Sequence, residues 1–354
     1  MERIAPRRDV ALMKGYHSAQ VDVEVRLNTN ESPYPPPLEW KQALAQQIEK
    51  IDFNRYPDRS AWQLRSEIAK LHKVEPEQVF CGNGSNEVLQ AILLAFGGAS
   101  RTALVFEPTY ALHSHIARIT QTNVAIAQRD ENFSINLDSL VKEIEQAKPS
   151  VSFFCSPNNP TGMVDSPQVL DVGLKQNSGL VVVDEAYGQF SSFSALSLFD
   201  EELPLAVVRT FSKTWSMAAS RLGYMIAPTW VVQACESVIL PYHLDALKQQ
   251  AGILALKFEK EMQQRVNELV DQRNLLFAKL EELDLQLWPS EANFILFRPL
   301  KMSGYRLWEE LLKRSILVRD CSSWPRLDNC LRMSIGTPQE NNIFIQALQE
   351  VLNE

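Results

Sequence analysis

Between residues 79 and 227 the chain carries seven short, largely apolar runs parted by polar or amphipathic stretches. They are VFC (79–81), TALVFE (102–107), NVAIAQ (123–128), VSFFC (151–155), LVVVD (180–184), AVVRT (206–210) and YMIA (224–227). Helical patterns lie between several of them, as in NEVLQAILLAF (86–96) and LDSLVKEIEQA (137–147). Runs rich in β-branched residues that do not alternate with polar ones need cover on both faces. The pattern therefore predicts an α/β domain with a mostly parallel central sheet between helices. Residues 244–283 form a charged, proline-free, helix-favouring stretch suited to a spine between domains. Beyond it, ANFILF (292–297), a helix around 303–314, LRMSIG (331–336) and a last helix from about 338 predict a smaller α+β domain. At roughly 150 residues per domain, 354 residues also suit two units.

Composition narrows the function classes. A net charge of −8 argues against a nucleic-acid footprint, which needs a basic face. The five scattered cysteines, without a C-x-x-C pair, predict reduced thiols and a cytoplasmic protein. Residues 1–16 have Arg7 and Arg8 but no apolar segment after them, so no signal peptide is expected. The run AILLAF (91–96) is too short to cross a bilayer, and no membrane association is expected.

Five motifs carry chemistry, each with a plainer structural reading. LVVVDEAY (180–187) places Asp184 at the carboxyl end of a buried strand, where open α/β sheets bind ligands. The plain reading is an acid that ends a strand. A magnesium-holding acid would need a G-x-x-x-x-G-K-[ST] loop, which the sequence lacks. GNGSNEVL (82–89) sets glycines before a helix start, a phosphate site or a simple cap. SPNNPTG (156–162) is first a tight turn, though its flanking prolines would also fix an asparagine towards a ligand. LVRD (317–320) and CLRMSIG (330–336) each carry an arginine. Arg319 and Arg332 are either solvated side chains or a guanidinium clamp for an anion. His113 and His115 are spaced i,i+2 on an expected helix and point apart, so no metal is expected.

The stretch RTFSKTWSMAASRLG (209–223) crowds Thr210 and Ser212 with Lys213 and Arg221. The hydroxyls and Arg221 would seat a phosphate. Burial and the like charge would lower the pKa of Lys213, as a Schiff-base lysine requires. A phosphate-bearing aldehyde satisfies both conditions, and Asp184 supplies the carboxylate partner for a pyridine nitrogen. The expected cofactor is pyridoxal 5′-phosphate.

LNTNESPYP, RYPD, GNGSNE, EPTY, SPNNPTG, VDEAY, RTFSK with Arg221, ANF, VRD and LRMSIGT occur in this order. Over about residues 16–337 the chain so resembles the fold-type-I pyridoxal-phosphate-dependent aminotransferases, and within them the histidinol-phosphate aminotransferase family. The resemblance implies that Lys213 holds the cofactor and moves the proton at the reacting carbon. It implies that Asp184 pairs with the pyridine nitrogen, Asn159 and Tyr187 bond the ring oxygen, and Tyr110 stacks on the ring. Ser85, Asn86, Thr210, Ser212 and Arg221 would hold the phosphate, joined by Tyr56 of a partner subunit. Arg319 and Arg332 would bind the substrate's anionic end, with Tyr16 of the partner closing over it. The expected assembly is a homodimer with shared sites. The division implied is an arm at 1–30, a large cofactor-binding domain at 31–245, and a linking helix with a small domain at 246–354. Position 86 is Asn where Asp is common in the family, and AAS precedes Arg221 where glycine and leucine are usual. The implied reaction is ping-pong transamination between histidinol phosphate and 2-oxoglutarate. An aromatic amino-acid aminotransferase and a threonine-phosphate-type decarboxylase are the alternatives. A transcriptional regulator built on this fold would need a DNA-binding domain, and barely thirty residues precede the fold.

Overall fold

The computed structural model describes residues 4–7, 10, 13, 15 and 20–354. The first elements are β1 (Val25–Leu27), α1 (Leu38–Ile48), α2 (Trp62–His72), β2 (Val79–Gly82) and α3 (Ser85–Phe96). There follow β3 (Thr102–Glu107), α4 (Leu112–Ile119), β4 (Asn123–Gln128), α5 (Leu137–Ala147), β5 (Val151–Cys155) and α6 (Pro167–Gln176). The sheet is completed by β6 (Leu180–Asp184), β7 (Leu205–Thr210) and β8 (Gly223–Ile226), and α7 (Thr229–Val238) comes next. All seven apolar runs are strands of one sheet, ordered β2-β8-β7-β6-β5-β3-β4. Strand β8 runs antiparallel to both neighbours, and the other pairs are parallel.

The strands lack polar alternation because both faces are covered. On β6, Val182 joins a core with Leu89 of α3 and Val231 of α7, while Val181 and Val183 join a second core with Leu140 of α5 and Leu170 of α6. Each fully buried valine contributes on the order of 1.5–3 kcal/mol. With the parallel strands β3, β5, β6 and β7 aligned, their carboxyl ends open on one edge. Asp184 and Thr210 stand there, as the last residues of β6 and β7.

The charged stretch after residue 244 forms two helices, α8 (Ala246–Leu256) and α9 (Glu259–Glu281). The break is a tight turn in which the Lys257 and Phe258 N–H groups bond to Leu254 and Ala255, while Phe258 packs into the core. The chain then forms β9 (Leu285–Leu287), β10 (Phe294–Pro299), α10 (Gly304–Lys313), β11 (Ile316–Asp320), β12 (Leu331–Ser334) and α11 (Pro338–Asn353). The second sheet is ordered β1-β11-β12-β10-β9, with β1 parallel to β11 and the other pairs antiparallel. Its first strand comes from the N-terminal segment, which carried no strand signal. Three residues are too few for a periodicity. Among the described residues, no helix is long and apolar enough to cross a membrane.

Candidate active site

A cavity of about 380 Å³ opens between the two sheets. Ser85, Asn86, Tyr110, Asn159, Asp184, Tyr187, Thr210, Ser212, Lys213, Arg221 and Arg332 all line it. Of the other expected site residues, Arg319 lies one strand away, Tyr56 is on the outer surface, and Tyr16 falls outside the described residues.

One end of the cavity is a cradle for an anion. Strand β8 approaches the start of α3 so closely that a Cβ on Gly223 would lie 2.3 Å from the Ser85 nitrogen. Gly84, at φ +79°, precedes that helix, and a Cβ there would sit 2.7 Å from Arg221 Nη2. Arg221 donates from Nη1 to Ser212 Oγ at 3.2 Å. Thr210 Oγ1 accepts the Ser212 N–H at 3.1 Å, which holds the loop after β7 against the strand end. Helix N–H groups, a hydroxyl and a guanidinium thus converge where only glycine leaves room. That set fits a phosphate.

Asp184 is buried at the end of β6. Its Oδ1 accepts the Ala186 N–H at 3.1 Å and its Oδ2 lies 2.9 Å from His113 Nε2. His113 is wholly buried on α4, stacked on Phe153 with ring centroids 4.9 Å apart. Sequence reasoning considered this histidine only as a metal ligand. The available signal was its place at i, i+3, i+4 with Ile116 and Ala117, which puts it on the helix's core face. A buried imidazole needs a partner. The adjoining Glu185 pairs with Arg209 of β7 at 2.7 Å, fixing the ends of β6 and β7 to each other.

Lys213 sits three residues beyond β7, and its Nζ donates to the Thr29 carbonyl at 3.0 Å. Desolvation first and then the charge of Arg332 lower its pKa from 10.5 to about 7; Glu31 pulls it up, and Arg221 adds a weaker downward push. A neutral amine near pH 7 is a competent nucleophile and base. The Tyr187 phenol accepts from Asn30 Nδ2 at 3.0 Å, and burial pushes it up to about 12, so it remains a donor. The Tyr110 hydroxyl donates to Asn86 Oδ1 at 3.1 Å.

The opposite wall comes from the second sheet. Arg332 is 4% exposed and donates to Asn159 Oδ1 at 2.6 Å and to the Asn28 carbonyl at 3.0 Å. Its guanidinium carbon stands 5.1 Å from the Phe294 ring centroid, and Phe294 meets Tyr187 edge-on. Arg332 Nε has no hydrogen-bond partner among the described residues. Arg319 and Arg332 are directly opposed across β11 and β12. Like charges so placed destabilise a sheet unless an anion joins them. The Asn28–Glu31 segment passes in front of this wall. It is held by the Asn30 N–H on Ser334 Oγ at 2.8 Å and by Asn293 Nδ2 on the Asn30 carbonyl at 3.2 Å. Its role was missed because each bond reaches far along the chain.

Residues 22–348 match the aminotransferase class I and II family. The chain is 39% identical to a histidinol-phosphate aminotransferase of Corynebacterium diphtheriae, over 98% of this chain and 96% of that protein. In fold it is similar to the histidinol-phosphate aminotransferase of Clostridium acetobutylicum, with a TM-score of 0.86 and 22% identity over 93% of this chain and 99% of that one. It is likewise similar to that of Sinorhizobium meliloti, solved with pyridoxal 5′-phosphate, with a TM-score of 0.84 and 19% identity over 94% and 92% of the two chains. The chain belongs to the class I and II aminotransferases.

Proposed function

We propose that the protein moves the amino group of histidinol phosphate to 2-oxoglutarate, using pyridoxal phosphate bound in the cavity between the sheets. The observation that carries this reading is a single cavity with two ends. A lowered-pKa lysine and a buried carboxylate stand beside an anion cradle, and a buried arginine with an unmet N–H faces them. The similarity to histidinol-phosphate aminotransferases along nearly the whole chain supports the substrate.

The residues fit the cofactor. Ser85, Asn86, Thr210, Ser212 and Arg221 would hold its phosphate, Asp184 its ring nitrogen, Asn159 and Tyr187 its ring oxygen, and Tyr110 would stand by the ring. When bound, pyridoxal phosphate supplies the aldehyde that takes up nitrogen and a ring that accepts electrons as the carbon–hydrogen bond breaks. Lys213 anchors the cofactor and afterwards carries the proton to and from the substrate carbon. Asp184, held by His113 at 2.9 Å, is oriented by that contact towards the place of the ring nitrogen. Arg332 and Arg319 bind the phosphate of histidinol phosphate in one half-reaction and a carboxylate of glutamate in the other. Guanidinium accepts either anion in a forked geometry. One pocket then serves both substrates in turn.

The site is completed by a second copy of the chain. Tyr56 is 80% exposed and stacks on Tyr242, at 4.4 Å between centroids, outside its own chain's cavity. Phe53 and Leu240 are exposed in the same two segments. A homodimer would cover this patch and bring Tyr56 to the neighbouring cofactor phosphate. Mixing Lys213→Ala and Tyr56→Ala chains tests it. Hybrids with one intact site should regain activity, and no recovery would rule out the shared site.

The substrate is tested by single-turnover conversion of the bound cofactor to its amine form by histidinol phosphate, phenylalanine and phosphothreonine. Histidinol phosphate should convert fastest. Faster conversion by phenylalanine would make the protein an aromatic aminotransferase, and release of carbon dioxide from phosphothreonine would make it a decarboxylase.

A further inference from the structure

Among the residues lining the cavity with no part in holding cofactor or phosphate are one carboxylate and one aromatic, Glu31 and Trp324. Glu31 follows the Thr29–Asn30 turn of the chain across the cavity. Thr29 gives its carbonyl to Lys213 Nζ and its hydroxyl to Glu31 Oε2, at 3.0 and 2.9 Å. One short segment therefore ties the lysine and the carboxylate together. The charge of Glu31 is felt at Lys213, yet its side chain stays exposed. Trp324 lies on the loop between β11 and β12, half-buried, with the Arg319 guanidinium carbon 5.8 Å from its ring centroid.

The carboxylate of Asp184 and the amide oxygens of the lining asparagines are already engaged. Asp184 has His113 and the Ala186 N–H. Asn30 Oδ1 accepts from Ser334, and Asn86 Oδ1 from Tyr110. Asn159 Oδ1 is taken by Arg332. Of the two lining carboxylates, Asp184 is buried and bonded through both oxygens, whereas Glu31 is exposed and is bonded through Oε2 to Thr29. Of the lining aromatics, Tyr187 is buried beside Lys213 and the Tyr110 hydroxyl is bonded to Asn86, while Trp324 is half-buried and shares with Glu31 only the lining of the cavity.

We infer that Glu31 and Trp324 form the subsite for the donor's side chain, with Glu31 accepting the N–H of a heteroaromatic ring and Trp324 packing against it. The inference rests on histidinol phosphate as donor. That molecule has three handles: an amine for the Lys213 end, a phosphate for the arginines, and an imidazole with one N–H and a flat face. A carboxylate accepting an imidazole N–H makes a charge-assisted bond, while an acyclic donor such as glutamate has no group to use it. Arg319 against the indole links the ring subsite to the anion clamp, so both ends of one ligand are read together.

The test compares holoenzyme of wild type, Glu31→Gln, Trp324→Phe and Trp324→Ala in both half-reactions. The readout is the ratio of kcat/KM for histidinol phosphate to that for glutamate. Glu31→Gln should lower this ratio about tenfold. Trp324→Ala should lower it comparably, and Trp324→Phe should restore most of it. A ratio unchanged in Glu31→Gln, with both half-reactions reduced in step or neither reduced, overturns the subsite and leaves the proposed reaction standing. Failure of the wild type to convert histidinol phosphate overturns both.

Discussion

The two ends of the cavity are built in different ways. The cofactor end is made at the carboxyl edge of one sheet, from α3, β6, β7 and the loop into β8. The substrate end joins pieces far apart in sequence. Arg332 reaches Asn159, 173 residues away, and the Asn28 carbonyl, 304 residues away. The first end follows from packing a single domain. The second exists only when the N-terminal segment and the second sheet have closed on it. Its parts are bound mostly to one another, so a lesson drawn from one arginine applies to the group.

The contrast can be broken or sharpened by substitution. The largest effect belongs to the cofactor end. Lys213→Ala should lower single-turnover conversion by roughly 10⁴-fold or more, since on the proposed mechanism it removes the proton carrier and the covalent anchor together. Near-normal turnover in this variant would remove the lysine from the chemistry. At the substrate end, Arg332→Lys should lower kcat/KM about 100-fold for both substrates. An ammonium keeps the charge but cannot bond Asn159, the Asn28 carbonyl and an anion at once. If lysine sufficed, the wall would be a simple positive field and the forked contacts irrelevant.

A smaller change is expected from His113→Phe, about tenfold in kcat with KM little altered, together with a shift in the visible absorption of the bound cofactor. A merely structural histidine would leave the spectrum where it was. The mildest effect is of pH. With Lys213 lowered to about 7, its amine is mostly protonated at pH 6 and half neutral at 7. The rate at which apo-protein captures pyridoxal phosphate at this lysine should rise about fivefold across that step and level off above pH 8. A rise continuing towards pH 10 would mean an ordinary lysine. The sign for stability follows. The unfolded chain keeps this proton up to about 10.5 and the folded one loses it near 7, so this group favours the folded apo-protein increasingly as pH rises through that interval.

Much of the cofactor end was legible beforehand because it depends on local order. A run such as LVVVD can only be a strand buried on both faces, and its last residue must stand at the sheet edge. Thr210, Ser212 and Lys213 follow the neighbouring strand within three residues. Chain direction alone brings these groups together. His113 was hidden because what matters is its partner. The helix pattern put it inside, but nothing in the pattern said that Asp184 would be there. The charged stretch after residue 244 read as continuous, since the break at Lys257 and Phe258 comes from tertiary packing and not from a helix-breaking residue.

By itself, then, the order of apolar runs and turn motifs determined the α/β sheet, its carboxyl edge, and the presence at that edge of Asp184, Thr210, Ser212 and Lys213. Those are consequences of periodicity and chain direction, which act over a few residues. Tertiary structure alone decided that Val25–Leu27 would become an edge strand of the second sheet and that Asn28–Glu31 would cross the cavity. It also set Arg319 and Arg332 opposite each other and brought Glu31 and Trp324 to the wall of one cavity. These depend on contacts between segments up to 304 residues apart. No local pattern encodes such contacts, because the free energy that forms them comes from closing two packed bodies on each other.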